Sequence, residues 1–171
     1  EDIKYVIQTH LHLDHSGAIG HFPNATHITQ RLEYDYAFNP DWFSQPAYIR
    51  ADFDKPNIRW KFLQGRKTDF YDVHGDGVIK IIFTPGHTPG HQSVLVNLPK
   101  TGHMLFTGDA CYTEDHWCDK CLPGLVASSS DAAESVSKLR KVAKEYDATV
   151  VWGHDPISWK IWKKAPMFYY D

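Results

Sequence analysis

The sequence predicts an α+β fold in which strands fall into two groups with helices outside them, equivalently a pair of sheets flanked by helices. Three observations predict it. Short apolar runs open the chain and recur between residues 78 and 107. One long segment in the C-terminal third carries a helical apolar stripe. Polar, glycine-bearing loops close the runs. With 171 residues and 42% hydrophobic content the chain can fill one ordinary core and is short for two, so one domain over 1–171 is expected.

Ile3 to Thr9 reads as a short buried strand, and HLHLDHSG behind it as the loop at its C-terminal end. Asn24 to Thr29 reads as a second strand. Gln30 to Phe38 reads as a helix with Leu32, Tyr36 and Ala37 on one face. From Asn39 to Gln64 three prolines and many aromatics give no sustained period, which predicts a long excursion with one or two helical turns. Val78 to Phe83, Gln92 to Leu98 and His103 to Thr107 read as sequential antiparallel strands, the last two joined by a Pro99 to Gly102 turn. Asp131 to Tyr146 is the clearest helix, with Ala132, Val136, Leu139, Ala143 and Tyr146 on one stripe and Asp131 with Glu134 as its capping pair. Ala148 to Trp152 reads as a last strand that ends at His154.

A net charge of −3, from 18 basic and 21 acidic residues, lacks the cationic surplus that binding a phosphate backbone requires. No run reaches the roughly 20 apolar residues of a membrane span, and the first residues lack a basic region followed by an apolar one. A soluble, cytoplasmic protein is expected. Cys111, Cys118 and Cys121 cannot all pair within the chain, which fits a reducing compartment.

Histidine is the outlier, at 11 copies. Four strand-to-loop junctions deliver metal-type ligands: His10, His12, Asp14 and His15 after the first strand, His87 in TPGHTPGH, Asp109 in FTGDACY, and His154 in WGHD. In extended chain, side chains at i and i+2 point the same way, so His10 and His12 can share one ion while the turn at Asp14, His15 and Gly17 redirects the next pair toward another. A carboxylate can bridge two such ions, the role expected of Asp109. Gly86 and Gly90 serve the turn around His87, and Gly108 and Gly153 let backbone approach the cluster. A single strand-end histidine is more often hydrogen-bonded or exposed than a ligand. Two histidines two apart, followed by an adjacent Asp-His, outweigh that reading. His21, His27, His74, His91, His103 and His116 are read as structural or exposed, with His91 also a candidate to donate to a carboxylate or carbonyl beside the site. Cys118 and Cys121 are read as loop cysteines, and Trp117, Trp152, Trp159 and Trp162 as packing residues.

HLHLDH, followed in order by HTPGH, TGDA and GHD, resembles the signature of the metallo-β-lactamase superfamily. HTPGHQS, the tyrosine three after Asp109, and GHD near the C-terminus are most similar to the N-acyl homoserine lactonases, which quench quorum signals. The resemblance implies a four-layer αβ/βα sandwich. It places His10, His12 and His87 on a first divalent transition-metal ion, and Asp14, His15 and His154 on a second. Asp109 bridges them, and Tyr112 leans over the pair. Zinc is the expected metal, with iron, cobalt and manganese also accepted by such ligands. Family members carry a substantial portion ahead of the first motif, so the chain is expected to lack an N-terminal segment, leaving an apolar sheet face and an open edge.

The implied reaction is opening of a lactone ring by a hydroxide bridging the metals, with Tyr112 stabilising the carbonyl oxygen and Asp14 passing a proton to the leaving alkoxide. The rival is a glyoxalase-II-like thioesterase, for which Lys160, Lys163 and Lys164 would supply a basic segment. A non-enzymatic metal-binding module is the reading from another class. The aromatic stretch from Tyr34 to Phe43 is open to three readings: acyl pocket, homodimer contact or simple packing.

Overall fold

The computed structural model describes residues 2–171. Three parallel strands, β1 (Tyr5–Ile7), β2 (Thr26–Gln30) and β3 (Arg59–Leu63), form one sheet in the order β1-β2-β3. The second sheet runs in sequence order through β4 (Phe70–Asp72), β5 (Ile79–Phe83), β6 (Gln92–Leu98), β7 (Gly102–Phe106) and β8 (Thr149–Val151). It is antiparallel up to β7, and β8 lies parallel to β7. The helices are α1 (Leu13–Ser16), α2 (Arg31–Phe38), α3 (Arg50–Phe53), α4 (Glu114–Trp117), α5 (Ser129–Glu145) and α6 (Pro156–Ile161). Each parallel pair needs a crossover, and the connections carry α1, then α2 and α3, then α4 and α5.

The alternation of side chains along a strand assigns the layers. On β5, Ile82 points to α5 and joins Leu95, Leu105, Leu139 and Val142 in one buried cluster. Its neighbour Ile81 points the other way, to Ile28 and Leu63 of the first sheet. Beyond that sheet, Leu11, Ile19, Ala37 and Phe53 are buried together with Tyr34 and Trp60 against them. The order is therefore helix, sheet, sheet, helix. Burying a side chain such as Leu139 completely contributes about 1.5–3 kcal/mol. Between the sheets a polar stitch fixes register: the Gln92 amide donates to the Gln8 carbonyl at 2.8 Å and accepts from Gln30 at 2.8 Å.

The sheet faces are not equally covered. Val96 and Leu98 of β6, Met104 and Phe106 of β7, and Val151 of β8 line an open apolar cleft of about 940 Å³. Phe106 is 38% exposed there.

Several elements differ from expectation. The first strand is limited to Tyr5–Ile7, with Tyr5 41% exposed, so it lies at a wet sheet edge. The buried face of α2 carries Glu33 and Ala37 while Leu32 faces outward. The excursion from 39 to 64 contains β3, and β4 follows at 70–72. The cap of α5 is Ser128, whose hydroxyl accepts from the Asp131 N–H, in place of the Asp131 and Glu134 pair. Trp117 packs on the α5 cluster as expected, but Trp159 is 65% exposed on the rim of the apolar cleft. No helix of the described residues is long and apolar enough to cross a membrane.

Candidate metal centre

All seven proposed ligands meet at one end of the sheets. β1 hands the chain to His10 and His12, and the short α1 turns it back so that Asp14 and His15 face the same space. His15 and Ser16 both donate their N–H groups to the His12 carbonyl, at 3.0 and 2.8 Å, which closes that turn. His87 lies in the loop between β5 and β6, and Asp109 in a 3₁₀ turn after β7. His154 follows β8, where Gly153 and His154 donate to the carbonyls of Cys111 and Tyr112. Gly108 adopts a φ of +54°, and a Cβ at Gly153 would stand 2.5 Å from the Gly108 carbonyl oxygen, so both loops need glycine to come this close.

The ligand atoms fall into overlapping triads, each with its atoms within 4.8 Å of one another: His10, His12 and His87; His10, His15 and Asp109; and Asp14, His15 and His154. The Asp109 carboxylate spans them. Its Oδ2 lies 3.2 Å from His154 Nε2, 3.4 Å from His87 Nε2 and 3.9 Å from His10 Nε2, while Oδ1 lies 3.3 Å from His15 Nε2. Asp14 Oδ2 stands 3.3 Å from His15 and 3.5 Å from His154. The first triad is buried, whereas the side chains of Asp14 and His154 are 48% and 43% exposed. One pocket is enclosed and its neighbour opens to solvent.

A metal fits these residues on physical grounds internal to the structure. Nε2 of His10, His12 and His15 and Oδ1 of Asp109 are buried with no hydrogen-bond partner, and the 3.3 Å approach of His15 to Asp109 lacks hydrogen-bond alignment. Buried polar atoms are rarely left unpaired, so several in one cluster signal an ion. Burial and the neighbouring imidazoles hold His10 well below its ordinary pKa and bring His12 down to about 4, while His87 is lowered chiefly by burial. Neutral imidazole is the form that binds metal. Burial works against charge on both His15 and Asp109, yet their mutual attraction lifts the pKa of His15 and brings Asp109 down to about 2.

These directions yield a pH prediction. Four buried histidines, His10, His12, His87 and His91, have folded-state pKa values below the ordinary 6.5. Below that pH the unfolded chain takes up more protons than the fold does, so stability falls with pH. The opposite shift at His15 offsets only part of this. Urea midpoints of chelated protein should drop steadily from pH 6.5 toward pH 4.

The surrounding groups orient the ligands. With His87 Nε2 turned to the cluster, its Nδ1 donates to the Leu125 carbonyl at 2.9 Å. The Tyr112 hydroxyl oxygen lies 3.2 Å from the same Nδ1, and its ring stands between those of His87 and His154. His91 accepts from the Asp109 N–H at 3.0 Å through Nε2, which leaves Nδ1 protonated to donate to the Thr84 carbonyl at 3.1 Å. His91 thus holds Asp109 through its backbone, an acceptor role in addition to the donation expected from the sequence. Sequence reasoning missed Glu33, whose carboxylate contacts both histidine loops. A lone Glu in a helical segment gives no signal of burial.

Comparison with known proteins agrees with this geometry. The family model described as the Metallo-beta-lactamase superfamily matches residues 1–154. The chain is similar to N-acyl homoserine lactonase AttM of Rhizobium radiobacter, 62% identical over 168 residues that cover 98% of this chain and 64% of that protein. It is 36% identical to an N-acyl homoserine lactonase of Bacillus cereus over 91% of this chain and 57% of the relative. Among solved structures, a B. thuringiensis AiiA mutant with N-decanoyl-L-homoserine bound at its active site superposes with a TM-score of 0.85 at 31% identity, covering 99% of this chain and 62% of the other. The chain therefore spans less than two thirds of the length of these relatives. Two facing sheets between helices, strand ends converging on one His/Asp cluster, and a family match across nine tenths of the sequence lead to one conclusion: the chain belongs to the metallo-β-lactamase superfamily.

Proposed function

We propose that this chain carries the dinuclear metal centre of a hydrolase that opens the ring of N-acyl homoserine lactones. The observation that carries the metal half is the cluster of buried, unpartnered ligand atoms on His10, His12, His15 and Asp109. The substrate half is supported by the lactonase names of relatives up to 62% identical. His10, His12 and His87 would hold one ion, Asp14, His15 and His154 the other, and Asp109 both. Zinc suits this imidazole and carboxylate set. Two such ions, when bound, make water a nucleophile near neutral pH and polarise a carbonyl.

The chain's own groups supply the rest. The exposed side of the cluster, at Asp14 and His154, is where a lactone can enter. Burial, with Asp109 and Asp14 nearby, pushes the Tyr112 phenol up, so it stays protonated as a donor. Its oxygen faces the His87 Nδ1–H, which leaves the Tyr112 proton free to meet the oxygen on which negative charge develops. The Asp14 carboxylate, whose side chain is 48% exposed, takes the proton of the attacking water and returns it to the ring oxygen as the C–O bond breaks. Tyr112→Phe should keep both metals and lower kcat by about 100- to 1,000-fold, since it removes one of the groups that stabilise that oxygen. Unchanged turnover on lactones would remove Tyr112 from the mechanism.

Two of the three lysines that would serve the thioesterase rival are engaged within the C-terminal segment. Lys164 donates to the carbonyls of Trp159 and Trp162, and Lys163 lies over Phe168. The deciding experiment is acid release by the purified full-length protein from an acyl homoserine lactone and from a glutathione thioester. Release from the lactone supports the proposal, and release from the thioester alone replaces it. Free Cys111, Cys118 and Cys121 are in keeping with a cytoplasmic setting for the protein. Of the aromatic stretch, Tyr34 packs on Trp60 and Phe62, while Trp42 is 84% exposed and is the residue to which a homodimer contact would fall.

A further inference from the structure

Glu33 has no exposed surface and no part in the chemistry above. Its Oε1 accepts from the Leu11 N–H at 2.9 Å and from the Tyr48 hydroxyl at 3.1 Å. Its Oε2 accepts from the Thr88 hydroxyl, and the Gly90 N–H also donates to the carboxylate. Leu11 stands between His10 and His12, and Thr88 and Gly90 follow His87. The Tyr48 ring lies edge-on to His12 with centroids 4.6 Å apart. A carboxylate taken out of water is costly unless its lone pairs are met, and here the donors all come from segments that carry or touch the ligands of the enclosed pocket. None comes from Asp14, His15 or His154.

Backbone packing makes the same junction tight. A Cβ at Gly90 would stand 2.1 Å from the Glu33 nitrogen, so the His87 loop rests directly on the first turn of α2. Helix α2 follows β2 and lies between the two histidine loops, which are 75 residues apart in sequence.

We infer that Glu33 is a positioning residue for the pocket of His10, His12 and His87, clamping the 10–12 loop to the 87–91 loop so that three imidazoles converge on one ion. The inference rests on the metal reading given under Proposed function. A glutamine keeps the shape but turns an NH₂ toward one pair of donors, so one of the two loops loses its acceptor.

The test is chelator competition on the full-length protein loaded with cobalt. The wild type should release two ions in separable steps. Glu33→Gln should release one of them about 10- to 100-fold more readily, the same ion that His12→Ala fails to hold, and the other at the wild-type chelator concentration. The cobalt absorption bands of the weakened ion should shift, because its ligands are no longer held in the same geometry. Thr88→Val, which removes a single donor and keeps the side-chain volume, should weaken the same ion severalfold and serves if Glu33→Gln does not fold. Equal weakening of both ions, with unshifted bands, would mark Glu33 as a general structural residue and overturn the inference. Wild-type release from Thr88→Val, or from a folded Glu33→Gln, would overturn it too. A wild type that never binds two ions overturns the metal reading itself, before any variant is compared.

Discussion

Asp109→Ala should cost the protein its metal and its hydrolytic activity together while leaving the fold in place. One carboxylate reaches both pockets, with Oδ2 against His87, His10 and His154 and Oδ1 against His15. Removing it takes a ligand from each ion and the anion that balances two divalent charges at close range. The loss should exceed the roughly 10- to 100-fold drop in affinity typical of changing a group behind a ligand, because here the ligand itself is gone. The fold should persist because the apolar cluster that α5 makes with the second sheet is built without Asp109, its neighbour Ala110 being the residue buried there. Elemental analysis should find no bound metal, circular dichroism should match the wild type, and lactone hydrolysis should be undetectable. Retention of either ion at wild-type affinity would contradict the bridging role.

Gly90→Ala should destabilise the fold by driving the loop around His87 into the start of α2. The added Cβ would sit 2.1 to 2.5 Å from the nitrogen, Cα and Cβ of Glu33, and the first two are backbone atoms at the start of α2 that cannot rotate away. Overpacking of this kind costs about 1–3 kcal/mol. For a chain of this size each kcal/mol lowers Tm by about 2–4 °C, so a drop of several degrees is expected. The ion of the enclosed pocket should also bind more weakly, because the same displacement pulls Thr88 and the Gly90 N–H from Glu33. Gly124→Ala is the control, since its Cβ would meet nothing within 4 Å. Equal melting temperatures for the two variants would show that the His87 loop does not bear on α2 as described.

How far the sequence discloses this arrangement depends on where each residue sits. The seven residues of the cluster are legible as a group because they lie just past strands, where residue type and spacing show that side chains leave the sheet together. The long helix was legible from its apolar stripe, and β5, β6 and β7 from their runs of Ile, Val and Leu. β3 carries the alternation of a half-buried strand in Arg59, Trp60, Lys61 and Phe62, masked by the prolines and aromatics of the stretch before it, while the three residues of β4 show no period. On α2 the expected Ala37 is buried, but apolarity points to Leu32 where tertiary hydrogen bonds bury the charged Glu33 instead. Trp159 was assigned to packing on its size, but its neighbours form the wall of an open cleft. The buried Glu33 and the exposed Trp159 depend on segments distant in sequence, which local pattern does not encode, whereas the Ser128 cap of α5 is a local contact that the pattern does offer.

The buried, unpartnered atoms of His10, His12, His15 and Asp109 carry the central claim, that this cluster holds two ions. Elemental analysis of the full-length protein, purified without chelator and supplied with zinc, tests that claim most directly. Two metal ions per chain, falling to none in Asp109→Ala, is the predicted result. One ion or none in properly folded wild-type protein would contradict it.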